Sequence, residues 1–197
     1  IILTNDGGYA LAGYSYSNDG QITGHHGSVG GDDMWLVKLD GSGNIQWQHS
    51  YGCSADDFCY AIKQTNEGGY IISGSSMIAD GDVTNHHGVP GNFDVWIVKI
   101  NSSGTILWEK SYGGWDDEEG YDIQQTTDGG YVITGYSKSN DGDVSGNHGV
   151  EDYWIFKLDS IGTLKWQKCL GGYSNDYAYS VYQTLDGGYI CFGYSAS

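Results

Sequence analysis

Runs of about five to eight residues rich in Val, Ile, Tyr, Trp and Thr alternate along the chain with turns bearing Gly, Asp and Ser. No stretch carries the period of an amphipathic helix. One cycle of the pattern runs Tyr121 to Thr126, Tyr131 to Ser137, Tyr153 to Asp159 and Leu164 to Tyr173. Thr127-Asp128-Gly129-Gly130 joins the first two runs and Ser160-Ile161-Gly162-Thr163 the last two, both short connections suited to hairpins. The cycle predicts an antiparallel four-stranded meander. Its third run, Trp154-Ile155-Phe156-Lys157-Leu158, is apolar on both sides, so neighbouring sheets are needed to cover it.

The cycle recurs along the chain. Gly-Gly-Tyr elements end at Tyr9, Tyr70, Tyr131 and Tyr189, spaced 61, 61 and 58 residues, and Gly13, Gly74, Gly135 and Gly193 keep the same step. Trp35, Trp96 and Trp154 follow it, as do Trp47, Trp108 and Trp166. The shorter last step lies in one loop, Gly88 to Asp94 in one copy against Gly149 to Asp152 in the next.

Stacked four-stranded units of this size predict an all-β chain of β-propeller type, with a linear β solenoid as the other arrangement compatible with the repeat. Residues 1–197 are expected to form a single propeller segment, with blades at about 1–51 (first strand truncated), 52–112, 113–173 and 174–197 (partial). That makes roughly three and a half blades of a larger propeller, where closed rings hold about four to eight.

In a meander successive connections alternate between the two ends of the sheet, so short hairpins gather at one end and long loops at the other. The long set comprises Ser15 to Asp33, Ser76 to Asp94, Ser137 to Asp152, Tyr51 to Cys59, Tyr112 to Gly120 and Leu170 to Ala178, and holds 17 of the 25 carboxylates. One end is therefore expected to be acidic and the place for a ligand. The whole chain of 197 residues carries a formal charge of −17, its eight basic residues are all Lys, and it has no Arg. That balance argues against nucleic-acid partners and anionic membrane surfaces, and no apolar run is long enough to insert directly into a membrane.

The longer loops share Asp-Gly-(Asp or Gln)-(Val or Ile)-(Thr or Ser)-x-x-His-Gly at Asp19 to Gly27, Asp80 to Gly88 and Asp141 to Gly149. Asp19, Asp80, Asp82, Asp141 and Asp143 are candidate Ca²⁺ ligands, since hard cations take closely spaced oxygens. The same side chains could instead cap the turns. His26, His87 and His148 recur as loop-packing residues, and Asp33, Asp94 and Asp152 as loop anchors. Cys53 and Cys59, in one loop, are a possible disulfide, whereas Cys169 and Cys191 read as buried thiols. Aromatic residues in the acidic loops vary between copies, and Phe58, Phe93, Trp115, Tyr173 and Tyr177 are the candidate ligand-binding positions, suited to stacking on sugar rings.

The strings Gln124 to Ser137, Ser139 to Gly149 and Tyr153 to Asp159 resemble the propeller repeats of large secreted proteins of Bacteroidetes, many of which end in a sorting domain for type IX secretion. The resemblance covers essentially the whole chain. It implies export and an extracellular or cell-surface place and assigns no reaction, while the acidic, aromatic-bearing loop face suits glycans or surface and secretion proteins as partners. No catalytic motif is recognised: the adjacent carboxylates Asp116, Asp117, Glu118 and Glu119 read as solvated loop residues, and Arg clamps are absent. The reading is a non-catalytic binding or adhesion module. A spacer or attachment platform is the first alternative and a glycoside-active propeller enzyme the second.

Overall fold

A computed structural model describes residues 1–27 and 31–196. Its fourteen strands are β1 (Ile2–Leu3), β2 (Tyr9–Ser15), β3 (Asp33–Leu39), β4 (Ile45–Tyr51), β5 (Asp57–Gln64), β6 (Tyr70–Ser76), β7 (Asp94–Ile100), β8 (Ile106–Tyr112), β9 (Glu118–Gln125), β10 (Tyr131–Ser137), β11 (Asp152–Leu158), β12 (Leu164–Leu170), β13 (Asp176–Gln183) and β14 (Tyr189–Ser195). They form three antiparallel four-stranded meanders and a final two-stranded sheet, β13–β14. Among the described residues there is no helix.

The predicted hairpins are present, with Gly68, Gly104, Gly129 and Gly162 at positive φ in their turns. Run ends differ by three residues at two places. β12 stops at Leu170 instead of Tyr173. β9 begins at Glu118, three residues before the predicted run, so Glu118 and Glu119 belong to a strand, and Glu118 is fully buried instead of solvated.

Alternation along each strand serves two cores at once. On β7, Trp96, Val98 and Ile100 pack with Met34 and Leu36 of the first sheet, while Val95 and Ile97 pack with Ile133, Trp154 and Phe156 of the third. Val132 and Ile155 of the third sheet meet Val181 of the fourth. Each sheet is thus faced by the next, as the two-sided apolar runs require. The first strands lie side by side: β5 against β9 and β9 against β13. Outer strands lean on the following hairpin, where the hydroxyls of Tyr51 and Tyr112 donate to the carbonyls of Gly104 and Gly162.

Lysine is built into this frame. Lys38 and Lys157 are buried, and each Nζ reaches a carboxylate of a neighbouring hairpin, Asp6 at 2.8 Å and Asp128 at 3.0 Å. Pairing of this kind is what makes a buried ammonium tolerable.

Candidate functional site

The long loops are tied down by a repeated device. The His87 backbone N–H donates to Asp94 Oδ2 at 2.6 Å, and the His87 Nδ1 lies 2.9 Å from the same oxygen. His26 with Asp33 and His148 with Asp152 repeat the arrangement. Asp33, Asp94 and Asp152 are fully buried, so these residues act as loop anchors in the folded chain.

A second carboxylate stands close to each anchor. A Cβ on Gly113 would lie 2.5 Å from both Asp94 Oδ1 and Glu118 Oε2, and one on Gly52 would lie between Asp33 and Asp57 in the same way. Only glycine leaves room there. Glu118 accepts from Ser137 Oγ, from the Ser139 N–H and from the Gly114 N–H. Burial outweighs those bonds, raising the Glu118 carboxyl from 4.5 to about 7 and the Asp57 carboxyl to about 6.

The sign of the resulting pH dependence follows directly. A carboxyl with a raised folded-state pKa contributes stability that is fully present below its unfolded value of 4.5 and is lost as pH rises through about 7. For Glu118 the loss amounts to up to about 3 kcal/mol. Melting temperature is expected to fall between about pH 5.5 and about pH 8, and Glu118→Gln to flatten that slope. Calorimetry at the two pH values checks this, and an unchanged slope in the variant would contradict it.

The candidate cation ligands are engaged in protein contacts. Asp80 takes the Ser54 N–H at 2.7 Å and the Ser54 hydroxyl at 2.6 Å, and Asp141 takes the Trp115 N–H at 2.8 Å. They cap the link between the preceding sheet and their own. Asp82 and Asp143 are half-buried, with His26 Nε2 and His87 Nε2 at 3.5 and 3.7 Å, and Asp19 is exposed. Among the described residues, no three His, Cys, Asp or Glu side chains are grouped to hold a metal ion.

Cys53 and Cys59 are free thiols, both buried between the first and second sheets. The Cys53 sulfur accepts from the Ala55 N–H at 3.3 Å and lies 3.8 Å from Ser76 Oγ, whereas the Cys59 sulfur lies 4.0 Å from the Ala61 carbonyl. Burial pushes both thiols up to about 12, which keeps them protonated. Cys169 and Cys191 are free as well, the first buried and the second half-buried.

The five candidate aromatic residues separate into two groups. Trp115 and Tyr173 occupy the same place in successive sheet-to-sheet links and are 60% and 89% exposed. Phe58 and Phe93 are half-buried and pack on each other with centroids 5.4 Å apart. Tyr177 is half-buried too, donating its hydroxyl to Glu151.

Three tyrosines, none of them marked by the local sequence pattern, form a further cluster. Pairing of β5 on β6 matches Cys59 with Gly74 and Ala61 with Ser73, leaving Tyr60 unpaired as the extra residue of a β-bulge. Tyr121 is left out between β9 and β10, and Tyr179 between β13 and β14. Because the first strands lie together, the three displaced tyrosines meet: the centroids of Tyr60 and Tyr121 are 5.1 Å apart, and those of Tyr121 and Tyr179 are 5.5 Å apart. They line an open cleft of about 300 Å³ that also holds Lys63, Asp122 and Ser180. Tyr136 donates to Glu119 at 3.3 Å beside them, and burial raises the Tyr60 and Tyr121 hydroxyls well above their ordinary range, with the Glu119 charge adding to the shift. The three tyrosines keep the 61- and 58-residue step, a signal present in the sequence but hidden inside strands that read as plain alternation.

No protein-family model matches this chain, and no curated protein matches it.

Proposed function

We propose that the chain is a β-propeller segment serving as a secreted or cell-surface binding module, presenting its long-loop end to a glycan. Successive sheets joined through their first strands support the propeller reading, because that arrangement is the one a radial stack requires. The binding reading rests on one observation: Trp115 and Tyr173 stand exposed at one repeat position on the end where carboxylates concentrate. Flat rings beside carboxylate acceptors suit a polyhydroxylated ligand, which stacks its C–H face and donates its hydroxyls.

The test is a glycan-array screen of the 197-residue chain in Ca²⁺ buffer and again after EDTA. Binding is expected, and Trp115→Ala and Tyr173→Ala are each expected to weaken it about tenfold. Loss after EDTA would add a cation to the site. A blank array in both buffers would overturn the glycan reading and favour a spacer or a protein-binding platform.

A further inference from the structure

We infer that the tyrosine cleft is a second saccharide site, taking one neutral sugar ring against Tyr60, Tyr121 and Tyr179. The inference rests on the reading above that this module binds glycans, and it places a binding site away from the exposed loop aromatics.

A bulge interrupts the strand ladder, and here it requires a glycine opposite, so three bulges at one repeat position need a reason. Packing alone is a poor one. Tyr60 and Tyr179 remain 38% and 51% exposed, so part of each ring is left to solvent even where, as at Tyr60, the hydroxyl end is covered. The displacement also sets ring beside ring across three sheets, the arrangement that a flat ligand face needs.

The polar rim selects the ligand class. Lys63 Nζ lies 3.4 Å from Asp122 Oδ1, and Ser180 Oγ donates to Asp122 Oδ2 at 2.9 Å, so the second, third and fourth sheets each contribute one polar group. Donors and an acceptor stand together with their charges balanced. An anion would meet Asp122 in a protein of formal charge −17, and an organic cation would meet Lys63. A neutral polyol satisfies donors and acceptors alike. The volume of about 300 Å³ matches the small end of ligand pockets, one or two sugar units.

Saturation-transfer NMR and calorimetry on the 197-residue chain test this with the methyl glycosides of glucose, galactose, mannose and N-acetylglucosamine. At least one is expected to bind. Tyr179→Ala should weaken it about tenfold, and Tyr179→Phe, which keeps the ring, less than about threefold. Tyr179 is half exposed and outside the apolar cores, so the melting temperature of both variants should match the parent and certify their fold. Leu107→Ala, exposed on β8 and outside both sites, should leave this binding unchanged. The inference falls if no glycoside shows transfer, if tetramethylammonium binds in their place, or if Tyr179→Ala binds as well as the parent. A positive array abolished by Trp115→Ala but untouched by Tyr179→Ala would overturn the cleft while leaving the loop-end reading intact.

Discussion

Gly135→Ala is expected to destabilise the protein by more than about 4 kcal/mol, whereas Gly13→Ala, at the same repeat position, should cost less than about 1 kcal/mol. At Gly135 an added Cβ would overlap the carbonyl oxygen of Glu119 and stand 2.8 Å from its carbonyl carbon and 3.1 Å from Gly120 Cα. Those are backbone atoms of the facing strand, held by the ladder on either side of the bulge at Tyr121, so they cannot rotate away. The methyl group therefore forces β9 off β10 and opens the bulge. Gly74 and Gly193 meet the Phe58 and Tyr177 carbonyls in the same way. Around Gly13 nothing lies within 4 Å, because β1 pairs with β2 only at Ile2 with Ala10 and Leu3 with Tyr9. None of the four glycines has positive φ, so the contrast is purely steric. Urea denaturation of the two variants measures it, and comparable losses would show that the close approach of the bulge carbonyl is not what demands glycine.

Trp96→Ala is expected to cost about 3–5 kcal/mol, and Trp35→Ala roughly half as much or less. The two side chains share a local setting: each sits on the third strand of its sheet and donates its indole N–H to a residue 13 positions on, Glu109 at 2.7 Å for Trp96 and Gln48 at 2.9 Å for Trp35. Their coverage differs. Trp96 is fully buried in the core between the first and second sheets, against which Met34 and Leu36 also pack. Trp35 faces the other way from Met34 and borders an open cleft with Leu11, Val37 and Leu39, half-buried. Truncating the first leaves a cavity among fixed neighbours, while truncating the second removes partly hydrated surface. At about 2–4 °C per kcal/mol for a domain of this size, Trp96→Ala should lower the melting temperature by roughly 10 °C. Equal shifts for the two variants would show that the first and second sheets do not form the core described.

Much of the fold was legible because its signals are local. Hairpin turns announce themselves through Gly between β-formers, and the run Tyr131 to Ser137 coincides with β10. His26, His87 and His148 lie where loop-packing residues were expected, since each meets an aspartate only four to seven positions away. Features set by contacts distant in sequence are not legible in this way. Four acids in a row, Asp116 to Glu119, are hydrophilic by any local measure and predict a solvated loop, yet Glu118 is enclosed by Gly114, Ser137 and Ser139. Tyr60, Tyr121 and Tyr179 are not distinguished by local pattern, because a bulge is a property of two strands and neither alone reveals which residue will be left out.

The amino-acid order by itself determined the strands, the antiparallel hairpins, the repeat and the end of the molecule on which acids and loop aromatics collect. Those features depend on alternation, turn chemistry and chain connectivity, which act over a few residues. What only the tertiary structure decided is which copy of each repeated residue is covered. Met34-Trp35-Leu36 and Val95-Trp96-Ile97 are nearly the same strand, yet Trp96 has a sheet laid over it among the described residues and Trp35 borders an open cleft. The meeting of three tyrosines belongs to the same class of facts, because it depends on neighbouring sheets sharing a line of first strands. Burial is set by what packs against a residue, and a repeating sequence cannot state that for each copy separately.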